Sequence, residues 1–139
     1  MRNRKPILLA EDDMVDTMTI QRAFKDVKVV NKLVTTTNGE EALAYLKDPD
    51  NEQPCLILLD LNMPKMDGIE FLRIIKADPV LRRIPVVALT TSTEEQDVVE
   101  SFQLGVAGYM VKPVDYKKFV EAVRAIDLYW TLSELPDGQ

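Results

Sequence analysis

The chain has 139 residues, 46% of them hydrophobic, which is the size of one ordinary domain with a substantial core. A formal net charge of −6, with basic residues scattered along the chain, argues against nucleic-acid and anionic-membrane binding. One cysteine excludes a disulfide framework and a cysteine zinc site, and the absence of histidine removes imidazole catalysis, histidine metal ligation and phosphohistidine formation on this chain.

Ile7 to Ala10 is a short apolar run that stops at Glu11-Asp12-Asp13, a strand ending in acid. The period then changes. Val15, Met18, Ala23, Phe24 and Val27 at near-helical spacing predict a helix over about 14–27, with Asp13 as its cap. Lys32 to Thr36, rich in β-branched threonine, has the composition of an edge strand, and Asn38-Gly39 is its turn. Glu40 to Lys47 is a short helix, broken by Asp48-Pro49-Asp50-Asn51. Cys55 to Gly68 is the stretch that organises the chain. Its four large apolar residues, Leu56 to Leu59, predict a buried strand that ends on the carboxylate of Asp60, followed by a Pro-Lys-Met-Asp-Gly turn.

Met66 to Ala77 has the spacing of a third helix, stopped by Asp78-Pro79. Ile84 to Leu89 is a fourth strand, entered through Pro85 and ending in Thr90-Thr91-Ser92, where hydroxyls replace acids. Thr93 to Leu104 is a helix stopped by Gly105, and Val106 to Val111 a fifth strand ending in Lys112-Pro113. Asp115 can cap a last helix that continues close to Leu132, before a Pro136-Asp137-Gly138 tail. No apolar stretch approaches the roughly 20 residues of a membrane span, and Met1 to Lys5 is not followed by a signal-peptide core, so the expected compartment is the cytoplasm.

Strands alternating with helices predict an α/β fold with a doubly wound, five-stranded parallel sheet and helices on both faces. The C-terminal ends of such strands share one edge, where ligands bind. Delivered there are Glu11 and Asp12, Asp60, Thr90 and Lys112. Singly, each has an ordinary reading as a turn, a cap or a surface side chain. Their convergence carries the inference. Carboxylates about 4 Å apart repel by roughly 4 kcal/mol per pair at an effective dielectric of about 20. An all-oxygen acidic site offsets this by binding a hard cation such as Mg²⁺. A cation, a lysine and a threonine hydroxyl around one carboxylate are the parts that hold a phosphoryl group, with Asp60 as nucleophile.

This arrangement resembles the receiver domain of two-component response regulators. The likeness lies in Glu11-Asp12, Asp60, Thr90 and Lys112-Pro113, with Asn38-Gly39-Glu40-Glu41-Ala42-Leu43 and Leu59 to Pro64 as context. Asp16, Arg83 to Val87, Leu89 to Ser92, Pro113-Val114-Asp115 and the Tyr129-Trp130 ending are similar to the small regulators that partner cyanobacterial and bacterial phytochromes. The resemblance implies one receiver domain over 1–139, with a core of about 5–129 and an extended last helix and tail, in a flavodoxin-like strand order 2-1-3-4-5. It implies that Asp12 and Asp60 bind Mg²⁺ directly, Glu11 through water, and the Asn62 backbone carbonyl completes the protein ligands. It further implies that Asp60 takes phosphate from a partner histidine kinase, that Lys112 and Thr90 hold the phosphoryl oxygens, and that Tyr109 is a switch aromatic. Thr91 stands where the family often has alanine, which bears on phosphoryl access and lifetime.

Output is then expected by contact with a downstream protein, a phosphorelay partner or a second copy, the last through a homodimer seam along the last helix, where Tyr129, Trp130 and Leu132 lie. Two other classes share some of these parts. A phosphate-independent pseudo-receiver would keep the fold without the chemistry. A Mg²⁺-dependent phosphohydrolase of the haloacid-dehalogenase type would want a second acid two positions after Asp60, where this chain has Asn62. On the receiver reading the chain is no enzyme beyond its own phosphoryl transfer and dephosphorylation.

Overall fold

A computed structural model of the protein describes residues 4–90, 103–111 and 116–132. Five strands, β1 (Ile7–Ala10), β2 (Leu33–Thr36), β3 (Leu56–Asp60), β4 (Val86–Thr90) and β5 (Gly108–Val111), form one parallel sheet in the order β2-β1-β3-β4-β5. The described helices are α1 (Met14–Val27), α2 (Gly39–Lys47), α3 (Gly68–Ala77) and α4 (Tyr116–Leu132), with a 3₁₀ turn at Leu81–Arg83.

Strand period decides which layer each side chain joins. Leu8 and Ala10, Ile57 and Leu59, and Val86 and Ala88 face a core shared with α2 and α3, through Ala42, Leu46, Phe71, Leu72 and Ile75. The alternate residues Ile7 and Leu9, Leu56 and Leu58, and Val87 and Leu89 face α1 and α4, through Ile20, Ala23, Phe24, Phe119 and Val123. Every residue of β1 and β3 is buried, which is why both read as unbroken apolar runs and not as alternating ones. At about 1.5–3 kcal/mol for each fully buried leucine or isoleucine, these two strands dominate the stability of the sheet. β2 is an edge, as its threonines suggest.

Three helix starts are set by side-chain caps. Asp13 Oδ1 accepts from Asp16 N–H at 3.0 Å, Asn38 Oδ1 from Glu41 N–H at 2.8 Å, and Asp67 Oδ1 from Glu70 N–H at 2.9 Å. The cap at Asp67 corrects the expected start of the third helix, which begins at Gly68 and not at Met66. Asn38-Gly39, expected as a turn, is instead the cap and first residue of α2. β4 begins at Val86, two residues later than its pattern suggests, because Leu81–Arg83 closes a 3₁₀ turn and Pro85 serves only as an acceptor, for Ile57 N–H at 3.0 Å. β5 is likewise shorter, at Gly108–Val111.

A further correction concerns α1. Val15 and Met18, read as part of its apolar face, are 70% and 60% exposed, and burial begins at Ile20. The helix buries its second half against the sheet and leaves its first turns at the strands' C-terminal edge. Gly105 has φ 84, the left-handed conformation expected at a helix stop. The helix expected before it, from Thr93, lies almost wholly outside the described residues, as do Thr91, Lys112, Pro113 and Asp115. None of the described helices is long and apolar enough to cross a membrane.

Candidate functional site

The site follows from register. Ala10 pairs with Leu59 in neighbouring parallel strands, so the next residues, Glu11 and Asp60, reach the sheet edge side by side. β1 hands over to Asp12 and Asp13 before α1 begins, and β3 to the 61–67 loop before α3. One ligand oxygen each from Glu11, Asp12 and Asp60 lies within 4.8 Å of the others. Glu11 and Asp60 are 1% and 2% exposed, whereas Asp12 is exposed, so the cluster is walled by protein and open on one side.

Local hydrogen bonds aim these carboxylates. Glu11 Oε2 accepts from Asp13 N–H at 3.1 Å, and the Glu11 backbone N–H continues the sheet by donating to the Thr36 carbonyl at 3.0 Å. Asp60 Oδ1 accepts from Asn62 N–H at 3.1 Å, an Asx turn that folds the loop back over the strand end. Gly68 N–H donates to the Leu61 carbonyl at 3.1 Å and closes that loop. A Cβ on Gly68 would lie 2.5 Å from the Asp60 carbonyl oxygen, so the start of α3 approaches the strand end as closely as only glycine allows.

Carboxylates at this spacing repel, when ionised, by roughly 3 kcal/mol per pair at an effective dielectric of about 20. An all-oxygen donor set with one open side suits a divalent cation of the hard type, which keeps water on its free positions. Of the other expected site residues, Thr90 is the last residue of β4, one step beyond the Asp60↔Leu89 pair, and Tyr109 pairs in β5 with Ala88. Lys112, which follows the last residue of β5, lies outside the described residues. In the sequence Gly39 and Gly68 have the pattern of turn residues only. Their close approaches to the loop are contacts between distant parts of the chain, and nothing in the local pattern signals them.

A family model of the response regulator receiver domain matches residues 7–124. The chain belongs to the response regulator receiver family. This receiver is 41% identical over 130 residues to response regulator Rcp1 of Synechocystis sp., covering 91% of this chain and 88% of the relative. Its fold superposes on the phosphorylated cyanobacterial phytochrome response regulator RcpA with a TM-score of 0.85 at 41% identity, covering 96% and 99% of the two chains. The Mn²⁺-bound form of Rcp1 gives 0.84 at 39% identity, over 96% and 99%. The bacteriophytochrome response regulator RtBRR gives 0.78 at 42%, over 98% and 86%. The acidic cluster of this receiver therefore stands in a fold whose relatives include a metal-bound and a phosphorylated form. Receivers of this family are signalling proteins and not enzymes acting on a separate metabolite.

Proposed function

We propose that Asp60 is the phosphoacceptor of a single receiver domain with the flavodoxin-like doubly wound order, charged by a histidine kinase in a Mg²⁺-dependent reaction. The observation that carries this reading is the meeting of Glu11, Asp12 and Asp60 within 4.8 Å, with Asp60 buried at a strand end and its Oδ1 oriented by Asn62 N–H. Asp12 and Asp60 would hold Mg²⁺ directly, Glu11 through water, and the Asn62 carbonyl would complete the protein ligands. Bound there, the cation supplies charge neutralisation for the phosphoryl oxygens and the acid cluster.

The Asp60 carboxylate attacks the phosphorus of the kinase's phosphohistidine. A P–O bond forms, the P–N bond breaks, and the imidazole leaves with the electron pair and takes a proton from solvent. Thr90 and Lys112 are assigned to the phosphoryl oxygens, Thr90 by its hydroxyl and Lys112 by its ammonium, and Tyr109 to the switch that reports the change. The added charge of about −1.5 to −2 biases the loop after β4 and so reshapes the β4-β5-α4 side that a downstream partner reads. The likeness to Rcp1, RcpA and RtBRR supports a phytochrome kinase as the donor. A homodimer along α4 extends the reading, since that helix runs to Leu132, well past its core residues Phe119 and Val123. A monomer in sedimentation at all concentrations, with and without a phosphate mimic, would remove that extension.

The deciding experiment labels wild type and Asp60→Asn with acetyl phosphate and follows intact mass. One added phosphate that needs both Mg²⁺ and Asp60 is the expected result. If neither acetyl phosphate nor a phytochrome kinase labels the wild type, the phosphoacceptor reading is wrong and the chain is a phosphate-independent binding module.

A further inference from the structure

The loop after Asp60 is tied to a helix that contributes no carboxylate to the acidic cluster. Gly39, the first residue of α2, donates its N–H across to the Met66 carbonyl at 3.0 Å. A Cβ on Gly39 would lie 2.6 Å from that carbonyl oxygen and 2.8 and 2.9 Å from Met66 Cγ and Cβ. Backbone cannot yield as a flexible side-chain tip can, so a larger residue at 39 displaces the loop.

The rest of the α2 start is already committed. Asn38 Oδ1 takes Glu41 N–H at 2.8 Å, and Glu41 Oε1 reaches back to the Thr37 N–H and hydroxyl at 2.8 and 2.9 Å. These reciprocal caps hold the turn rigid and leave Gly39 N–H aimed at the neighbouring loop. Within that loop Lys65 sits at φ 63, a left-handed conformation that a residue with a side chain keeps only where its surroundings impose it. The Gly39–Met66 bond acts on the very next residue. At the loop's other end the Leu61 carbonyl is fixed by Gly68 N–H, at the start of α3. Between the two anchors lies Asn62, whose N–H meets Asp60 Oδ1.

We propose that Gly39 is a positioning residue for the cation site. Its N–H and its lack of a side chain hold the 61–67 loop where the Asp60 carboxylate and the Asn62 backbone serve one cation. The inference rests on the divalent-cation reading above. Binding free energies are reciprocal, so a tie that favours the cation-competent loop is itself tightened when the cation binds.

The unaltered protein provides the first test, by amide hydrogen exchange followed by NMR with and without Mg²⁺. Exchange at Gly39 is expected to slow by about 10-fold at saturating Mg²⁺, the scale on which supporting residues change metal affinity. Amide signals of Asp13 and Asn62 that move with Mg²⁺ while Gly39 exchange stays constant would overturn the proposal and spare the cation site. Silence at all three would bring down both. The second test is Mg²⁺ affinity by titration. Gly39→Ala is expected to bind about 10-fold more weakly. Leu46→Ala, which opens a cavity at the far end of α2, is expected to lose stability and keep wild-type affinity. Wild-type affinity in Gly39→Ala, or an equal loss in Leu46→Ala, would refute the positioning role. Should Gly39→Ala fail to fold, the exchange measurement decides alone.

Discussion

The two ends of the sheet both bury polar groups, and they treat them in opposite ways. Beneath the strands' N-terminal ends, Asn31 donates its amide to the Lys5 carbonyl at 2.7 Å and lies with its Nδ2 3.8 Å from Cys55 Sγ. Cys55 N–H in turn donates to the Pro6 carbonyl at 2.9 Å. Neutral donors meet neutral acceptors there, and the three chain entries into β1, β2 and β3 are sewn together. At the C-terminal ends, Glu11, Asp12 and Asp60 bring three groups of one sign within 4.8 Å. The neutral end meets these donors with the protein's own acceptors. The acidic end gathers carboxylates that repel one another when ionised, a conflict that a bound cation would offset.

The sharpest way to break this contrast is Asp60→Asn. Phosphate labelling is expected to vanish entirely, and in chelator the variant should be more stable than wild type, by at most roughly 3 kcal/mol for each of the two pairs relieved on the Coulomb estimate. Chemical denaturation in EDTA measures it; a variant less stable than wild type would mean that the cluster is not in electrostatic conflict. Mg²⁺ at about 100 times its dissociation constant should stabilise wild type by about 2.7 kcal/mol and leave Asp60→Asn nearly unmoved. Thermal melts with and without the cation read both.

At the neutral end, Asn31→Ala should cost about 1–3 kcal/mol by stranding the Lys5 carbonyl, with no change in the Mg²⁺ shift. A reduced shift would show that the two ends are coupled through the strands. Burial pushes the Cys55 thiol up to about 11 from 9.0. The unfolded thiol therefore ionises first, and the stability it confers is intact below about pH 9 and lost as pH rises towards about 11. The stability difference between wild type and Cys55→Ala should narrow across that window, and a constant difference would mean that the thiol does not sense burial. The smallest effect is expected away from both ends. Tyr116 donates its hydroxyl to Asp26 Oδ2 at 2.7 Å while Arg22 lies 4.6 Å over its ring. Tyr116→Phe keeps the ring contact and should lower the unfolding midpoint less than Asn31→Ala does.

The acidic end was legible before any fold was known, because β1 and β3 are buried on both sides and so appear as apolar runs that stop abruptly at Glu11 and at Asp60. A buried strand has few ways to end on a charge, and the ending shows in the residues themselves. Helix α1 was legible in extent but not in facing. Val15 and Met18 satisfy the helical period, yet the first turns of α1 bury little apolar surface. Met66 likewise satisfies a helical pattern, yet Lys65 turns left-handed and Asp67 caps, so α3 starts later.

Alternation, apolar runs and the chemistry of turns are local, and through them the sequence alone determined the strands, most of the described helix boundaries and the acids placed at the sheet edge. Register and close approach join residues far apart in the chain. The meeting of Glu11 with Asp60, the pinning of the 61–67 loop by Gly39 and Gly68, and the stitching of Asn31 to Lys5 were decided only by tertiary structure. A carbonyl 2.6 Å from a missing methyl group leaves its trace at a glycine, but names no partner until the chain has folded.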